Sequence, residues 1–235
     1  MRRLVVVAAL WASAGAALAQ PVSYVPRHIE KILPGCGDAT NGCYRVVLDS
    51  VEITGGVAAG VRDRINQAIE NYIQSPERYF AKYDDPRGSK WWLEKKVEIL
   101  RATPPVIGLR CFDSSYSGGA HPITNTSYLN FNAATGQQVQ LSDILREGAM
   151  PELTKVAEVY FRQKRDIPPG EDLKAAGFIF FKDDRFALNG NFGVGEQSLF
   201  FTFNPYEVAP YVMGPTEFEM PFSAIRALLR PESGL

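Results

Sequence analysis

The chain has 235 residues, with 25 lysines and arginines against 26 aspartates and glutamates, and a formal net charge of −1. A chain this close to neutral, without a run of like charges, lacks the basic footprint that nucleic acids and anionic membranes select, so we expect neither as a partner. It contains no internal repeat or low-complexity tract, and its length suits one large domain or two small ones.

The N-terminus has the pattern of a secretory signal peptide. Arg2 and Arg3 precede an apolar run from Leu4 to Leu18, which ends in the small-residue pattern Ala17-Leu18-Ala19. A charged start, a short apolar core and a small-x-small ending are typical of exported proteins. The run is too short for a comfortable transmembrane helix. We therefore predict a signal peptide at 1–19, cleaved near Ala19, and a periplasmic or secreted mature chain without a membrane span.

The remaining chain is predicted to form one domain. Residues 20–35 look extended and weakly anchored, and residues 36–235 form the domain, with halves at 36–109 and 110–230. Strands and helices come in runs rather than in strict alternation, which favours an α+β fold with a largely antiparallel sheet packed by amphipathic helices. The predicted strands are 44–51, 97–100, 106–112, 126–131, 137–141, 178–181, 186–188, 200–203 and 218–220, and the predicted helices are 58–73, 144–147, 151–165 and one capped by Ser223.

The three cysteines suggest one disulfide. Cys36 and Cys43 bracket a turn-rich loop, and in an oxidising compartment we expect them to pair, which contributes about 2 kcal/mol for so short a loop. Cys111 lies in a strand-like run and is expected to be a buried thiol. Pairing of Cys36 or Cys43 with Cys111 stays open at this stage.

Two loops stand out as candidate surfaces. The first, 113–122, is rich in glycine and contains His121. The second, 204–215, has three prolines that limit its conformations, and it presents Tyr206 and Tyr211. A stiff connector between strands is one interpretation of this loop. A preformed binding surface is the other, because tyrosine is favoured at interfaces.

The sequence gives little support for catalysis. Ser117, His121 and Asp113 are close in sequence, but no serine has a nucleophile-elbow pattern. No spacing matches a zinc or calcium site, so we expect neither a metal nor a cofactor. The glycines of 190–195 lack the context of a phosphate loop and are interpreted as a turn. Glu207 has no second carboxylate at the distance that a glycosidase needs. The adjacent Trp91 and Trp92 are interpreted as packing residues, with sugar stacking as the alternative.

Three motifs, in this order, resemble a bacterial domain of unknown function found outside the membrane. They are YSGGAHP at 116–122, YLNF at 128–131 followed by LSDIL at 141–145, and NPYEVAPY at 204–211 followed by Gly214-Pro215. The chain is similar in these motifs to the ectodomain of the lysozyme-sensing anti-sigma-V factor and to the accessory region of a peptidoglycan deacetylase. The resemblance is close from Leu109 to Leu229 and loose from Tyr44 to Leu109.

The resemblance implies an envelope domain that binds a ligand rather than transforming it. In the anti-sigma relative the ligand is lysozyme. Only three residues precede the hydrophobic run, so we expect no cytoplasmic sigma-binding segment. We expect no deacetylase domain either. The expected protein is a monomer that recognises a lysozyme-like protein or a peptidoglycan fragment. The alternatives are a structural envelope protein and a glycan hydrolase that uses Glu207 or Asp113. The predicted ligand-binding residues are Tyr116, Gly118, Gly119, His121, Tyr206, Glu207 and Tyr211.

Overall fold

The computed structural model describes residues 21–35, 42–84 and 87–235. The predicted signal peptide and Cys36 lie outside these ranges, so the export signal and the Cys36–Cys43 disulfide stay predictions. Within the described ranges, Cys43 is buried, and Cys111 is a buried free thiol, as expected. Burial raises the pKa of the Cys111 thiol to about 12.

Residues 23–132 form a five-stranded sheet whose strands follow the chain order. Neighbouring strands are antiparallel except for β2 and β3, which run parallel. A parallel pair needs a crossover connection, and two helices supply it, α1 (Ala59–Ile73) and α2 (Pro76–Phe80). The strands are β1 (Ser23–Ile32), β2 (Arg45–Gly55), β3 (Trp92–Arg101), β4 (Val106–Tyr116) and β5 (Ile123–Asn132).

Helix α1 covers one face of this sheet, as its amphipathic pattern predicts. Val61, Ile65, Ile69 and Ile73 recur at helical spacing, and all four are buried against the sheet. Full burial of such a side chain contributes about 1.5–3 kcal/mol, so this stripe accounts for the position of the helix.

The C-terminal half builds a second, antiparallel sheet around a phenylalanine core. Phe161 is fully buried, and its ring makes edge-on contacts with Phe178, Phe181 and Phe203 at centroid distances of 4.9, 5.6 and 5.6 Å. The strands are β6 (Phe192–Val194), β7 (Ser198–Phe203) and β8 (Thr216–Pro221), and the helices are α3 (Leu141–Ile144), α4 (Met150–Lys164) and α5 (Phe222–Ile225). Together the two halves confirm the predicted α+β fold with a largely antiparallel sheet.

Three predicted strands are wrong. The stretch 137–141 makes only an isolated bridge, between Gln138 and Phe131. The stretches 178–181 and 186–188 are not strands either. Their phenylalanines are apolar because Phe178, Phe181 and Phe186 fill the core around Phe161, while Ile179 and Phe180 are exposed.

Two strands, β6 and β1, lie where the sequence analysis predicted none. β6 lies in the glycine-rich stretch interpreted as a turn, where a side chain at Gly193 would collide with the ring of Tyr128. The segment expected to be weakly anchored contains β1, which pairs with β2 along its whole length. Both strands form through backbone pairing, which the pattern of side chains in the sequence indicates poorly.

Two short helices begin differently from the prediction. In α3, Gln140 is the N-cap, and the Asp143 carboxylate accepts a hydrogen bond from the Gln140 backbone N–H at 2.7 Å. In α5, Pro221 is the N-cap and Ser223 lies inside the helix, so the predicted serine cap is wrong. None of the helices in the described ranges has the length and apolar character that a membrane crossing requires.

The two sheets are joined by the side chain of Asn130. Its amide nitrogen donates to the Phe192 carbonyl at 2.9 Å, and its amide oxygen accepts from the Val194 N–H at 2.8 Å. The side chain is buried, so both groups of the amide are satisfied without water. This contact holds β6 against β5 and is one of several that join the two sheets, together with Tyr128 to Thr202 and Arg110 to Glu217.

Candidate functional site

The two candidate loops, which lie far apart in sequence, meet in the structure. The first follows β4 and carries His121. The second connects β7 to β8 and carries Tyr206 and Tyr211. The rings of His121 and Tyr211 are stacked, with centroids 3.6 Å apart and planes 16° apart. The Tyr206 hydroxyl lies 3.3 Å from His121 Nε2.

Hydrogen bonds assign the roles of both ring nitrogens of His121. The Pro122 carbonyl accepts from the Tyr211 hydroxyl at 2.8 Å and lies 2.9 Å from His121 Nδ1. A carbonyl oxygen can only accept, so Nδ1 carries the hydrogen. In the neutral ring, Nε2 then accepts from the Tyr206 hydroxyl. The three side chains therefore form one connected group.

Tyr206 occupies a backbone conformation that tyrosine rarely adopts. The Glu207 N–H donates to the Asn204 carbonyl at 3.1 Å, which closes a four-residue turn with Pro205 at its second position and Tyr206 at its third. Proline at the second position and a positive φ at the third define a type II turn, where glycine is the usual third residue. Tyr206 has a φ of 69°, at a cost of about 1–2 kcal/mol, and the residue is 50% exposed.

Glu207 stabilises this turn. Its carboxylate accepts from the Asn204 N–H at 2.6 Å and from Asn189 Nδ2 at 3.1 Å. Both contacts involve one carboxylate oxygen, Oε2; one donor belongs to the turn itself, and the other, Asn189, lies in the segment before β6. The geometry assigns Glu207 a role in holding the loop.

Asn204 attaches the turn to the edge of the five-stranded sheet. Its amide oxygen accepts from the Thr126 N–H at 2.7 Å, and its amide nitrogen donates to the Thr126 carbonyl at 3.0 Å. The amide thus replaces the hydrogen bonds of a further strand beside β5. Sequence reasoning missed this residue. The available signal was an asparagine before Pro205, a common start of a turn.

Tyr116 and the two glycines shape the first loop. The Tyr116 hydroxyl donates to the Gly119 carbonyl at 2.9 Å, and Gly118 and Gly119 have φ values of 94° and 102°. Such values favour glycine. Trp91 lies beside Gly118 and packs with Tyr83 at a centroid distance of 4.7 Å. This contact supports the packing interpretation of Trp91.

The serine–histidine–aspartate arrangement does not form. Within the described part of the chain, the polar partners of His121 are the Pro122 carbonyl and the Tyr206 hydroxyl. Asp113 lies within β4, opposite Lys95 of β3. The residues that the structure describes also contain no group of three or more histidine, cysteine, aspartate or glutamate side chains placed to hold a metal ion.

Comparison with known proteins finds a match to a family of uncharacterised domains over part of the C-terminal region. Residues 142–223, which include Tyr206 and Tyr211, match the model of a protein family of unknown function, DUF3298. The predicted resemblance to a domain of unknown function is confirmed for this stretch, whereas the similarity to the anti-sigma-V ectodomain and to the deacetylase region stays a prediction. A search of curated proteins gave no significant match.

Two crystal structures of members of that family share the fold of almost the whole chain. A protein from Bacteroides fragilis is 19% identical with a TM-score of 0.72, and the alignment covers 93% of this chain and 98% of that one. A protein from Pseudomonas aeruginosa is 16% identical with a TM-score of 0.71, covering 92% and 97%. At this level of identity the likeness is one of fold.

Proposed function

We propose that this protein is an exported, non-enzymatic binding domain of the bacterial cell envelope. Its binding surface is the aromatic group of His121, Tyr206 and Tyr211 on the two converging loops. The single observation that carries the proposal is Tyr206, an exposed aromatic residue held at a positive φ where glycine would be more stable. Strain of this kind, at an exposed position, is typical of functional sites.

The surroundings of Tyr206 support a recognition surface. A connector loop gains nothing from an exposed aromatic ring in a strained turn, whereas a binding loop gains a rigid, amphipathic contact. The prolines of the loop and the Asn204 and Glu207 hydrogen bonds order the ring before any ligand arrives, which lowers the entropic cost of binding.

The resemblance to the lysozyme-sensing ectodomain guides the choice of ligand. We propose a lysozyme-like protein as the first candidate and a peptidoglycan fragment as the second. We do not propose a catalytic role for Glu207, because its Oε2 oxygen accepts hydrogen bonds from the Asn204 N–H and from Asn189 Nδ2 and so helps to hold the loop. The proposed role of the site is therefore recognition.

Calorimetric titration of the mature domain, Gln20 to Leu235, with a c-type lysozyme tests the proposal. We expect saturable binding at micromolar concentration or tighter, and a loss of about tenfold or more on Tyr206→Gly, because interface tyrosines often contribute more than 1 kcal/mol. Tyr24→Ala is the matched control, since Tyr24 is 45% exposed but lies on β1. Its affinity should equal that of the wild type.

The other outcomes separate the alternatives. If neither lysozyme nor peptidoglycan fragments give heat at high concentration, the binding proposal is wrong and a structural role in the envelope becomes the better interpretation. Turnover of muropeptides that survives purification and disappears in Glu207→Gln would instead establish a hydrolase.

A further inference from the structure

Strand β8 is an uncovered edge of the three-stranded sheet. The strand order is β6, β7 and β8, so β7 pairs with one side of β8, and among the described residues no strand pairs with the other side. At the opposite edge, β6 is held against β5 by the amide of Asn130. An edge of this kind presents N–H and C=O groups to which another extended chain can bond.

The pairing of β7 shows which residues of β8 direct their backbone groups outward. The Thr202 N–H donates to the Asn191 carbonyl at 3.3 Å, on the β6 side of β7. Thr202 lies directly opposite Glu217, so this pair exchanges no hydrogen bonds. Direction alternates along an antiparallel strand, and therefore both Glu217 and Glu219 direct their N–H and C=O groups away from β7.

The backbone groups at this edge are left without protein partners. Within the ranges that the structure describes, neither a side chain nor another backbone segment hydrogen-bonds with the main-chain groups of Glu217 or Glu219. Glu217 is partly buried and Glu219 is exposed, so the edge is accessible. The edge of β5 differs, because the Asn204 amide bonds to both main-chain groups of Thr126 there.

A cleft runs between this edge and helix α4. Its volume is about 400 Å³, and Glu217 and Glu219 line it on the strand side, while Tyr160 and Lys164 line it on the helix side. Side chains of a strand point alternately to its two faces. A strand added along β8 would therefore direct every second side chain towards α4 and the others towards the face that carries the glutamates.

The two faces of the edge differ in charge. On the face towards the five-stranded sheet, Glu217 is paired with Arg110 at 2.7 Å, whereas the exposed Glu219 carboxylate bonds to a hydroxyl rather than to a cation. On the α4 face, the ammonium of Lys164 stands beside the ring of Tyr160. An added strand thus meets a carboxylate on one face, and an aromatic ring with a positive charge on the other. This arrangement favours basic residues that alternate with apolar ones.

We propose that the free edge of β8 binds an extended segment of a partner protein in which lysine or arginine alternates with apolar residues. The segment adds antiparallel to β8 and exchanges backbone hydrogen bonds with Glu217 and Glu219. A basic side chain then lies beside the Glu219 carboxylate, and its apolar neighbours pack on Tyr160. A second copy of β8 fits poorly, because antiparallel pairing of two such edges brings glutamates opposite glutamates, and like charges repel.

Titration of the full mature chain with the peptide acetyl-Lys-Val-Lys-Val-Lys-amide, followed by NMR, tests this inference. We expect saturable shifts of the Glu217 and Glu219 amide signals and slower hydrogen exchange at both. The Ile53 amide of β2, which is bonded to Asn66, should be unaffected. The peptide acetyl-Glu-Val-Glu-Val-Glu-amide should bind about fivefold more weakly, because its carboxylates face Glu219.

N-methylated peptides test the backbone pairing itself. In the proposed arrangement the lysine N–H groups face β8 and the valine N–H groups face solvent. N-methylation of the second and third lysines removes hydrogen bonds to the edge and should weaken binding about tenfold or more. N-methylation of both valines should leave binding nearly unchanged.

Two variants of Glu219 test the protein side. Glu219→Gln keeps an oxygen that accepts from the Ser198 hydroxyl but removes the charge, and it should weaken binding about fivefold. Glu219→Pro removes the outward N–H without removing a hydrogen bond to β7, and it should abolish binding. Glu70→Gln, at an exposed glutamate of α1, is the matched control and should bind as the wild type.

Several results would overturn the inference. Absence of saturable shifts at Glu217 and Glu219 is one, and equal binding of the two N-methylated peptides is another. Equal binding of the lysine and glutamate peptides, or wild-type binding by Glu219→Gln, would also contradict it. Lysozyme enters none of these measurements, so this inference and the proposed function can fail separately.

Discussion

The ring of His121 lies parallel to the ring of Tyr211, with centroids 3.6 Å apart, and both side chains direct a hydrogen bond to the Pro122 carbonyl. The loop after β4 is thus held by a residue of the loop between β7 and β8. The two loops therefore support each other, so the stability of the site depends on contacts between segments of both sheets.

Tyr211 is expected to be structural as well as functional. Tyr211→Phe removes the hydrogen bond to the Pro122 carbonyl and should lower the free energy of unfolding by about 1 kcal/mol. Tyr211→Ala also removes the stacked ring and should cost about 3 kcal/mol, in the range of large aromatic truncations. Denaturant unfolding measures both. Equal stability of the two variants would show that the stacking on His121 contributes nothing.

At position 206, glycine is expected to be more stable than alanine. Both changes delete the exposed ring, but only glycine adopts the positive φ of the turn without strain. The free energy of unfolding of Tyr206→Gly should therefore exceed that of Tyr206→Ala by about 1 kcal/mol. Thermal unfolding of the two variants gives the difference. A Tyr206→Gly variant that is less stable than the wild type would mean that the ring stabilises the fold, contrary to a recognition role, and one that is less stable than Tyr206→Ala would contradict the strain at this position.

Asn204 is expected to protect one particular amide. Asn204→Ala leaves the Thr126 N–H without its side-chain partner, while the Thr126 carbonyl keeps its hydrogen bond from Asn191 Nδ2 at 2.8 Å, and the change should cost about 2 kcal/mol. Hydrogen exchange at the Thr126 amide should accelerate, while the Ile53 amide, which Asn66 protects in the same bidentate manner, should exchange as before. Unchanged exchange at Thr126 would contradict the assigned hydrogen bond.

Asp113 is expected to make stability depend on pH. Burial raises the pKa of its carboxyl, although Lys95 and a hydrogen bond from Asn125 act in the opposite direction. A carboxyl whose pKa is higher in the folded chain than in the unfolded chain binds protons more tightly when folded, so stability falls as pH rises above the unfolded value of about 4.

The test of Asp113 is a comparison at two pH values. Asp113→Asn imitates the protonated side chain and should raise the thermal midpoint at pH 7. The gain should disappear below about pH 4, where the wild-type carboxyl is itself protonated. Asp63→Asn, at an exposed aspartate of α1, is the control and should show little change at either pH. A destabilised Asp113→Asn at pH 7 would mean that the attraction to Lys95 outweighs burial.

The predicted disulfide has a direct chemical test. If Cys36 and Cys43 are paired, alkylation of the unfolded, unreduced mature chain should modify Cys111 alone, since Cys111 is a free thiol. Alkylation after reduction should modify all three cysteines. Modification of all three before reduction would show that no disulfide forms.

Side-chain periodicity made part of the fold predictable from the sequence. The stripe of Val61, Ile65, Ile69 and Ile73 predicted α1 almost to its ends, because a buried helical face demands that spacing. The phenylalanines around Phe161 led to the wrong prediction of strands at 178–181 and 186–188. An apolar segment that fills the core without pairing as a strand has the same composition as a buried strand. Strand β6 was missed because Gly193 has no side chain to carry a pattern.

The site was predictable only in part, for a related reason. The motifs around His121 and Tyr206 marked the two loops, and the structure brings them together. The conformation of Tyr206 and the bridging amide of Asn204 depend on backbone geometry and on contacts between distant segments, which local patterns do not contain. Residue types can therefore indicate where a surface lies without showing what holds it.

The amide of Asn204 also covers the Thr126 N–H and carbonyl at one margin of the five-stranded sheet, where residues 137–139 cover Asn130 and Asn132 further along β5. The opposite margin is β1, which carries Pro26 near its middle. A proline has no N–H to donate, and proline and charged residues on an outer strand discourage pairing with other chains. Each margin thus has its own protection against strand-to-strand aggregation. Loss of Asn204 would therefore uncover a single strand N–H, that of Thr126, at a margin that other residues still protect.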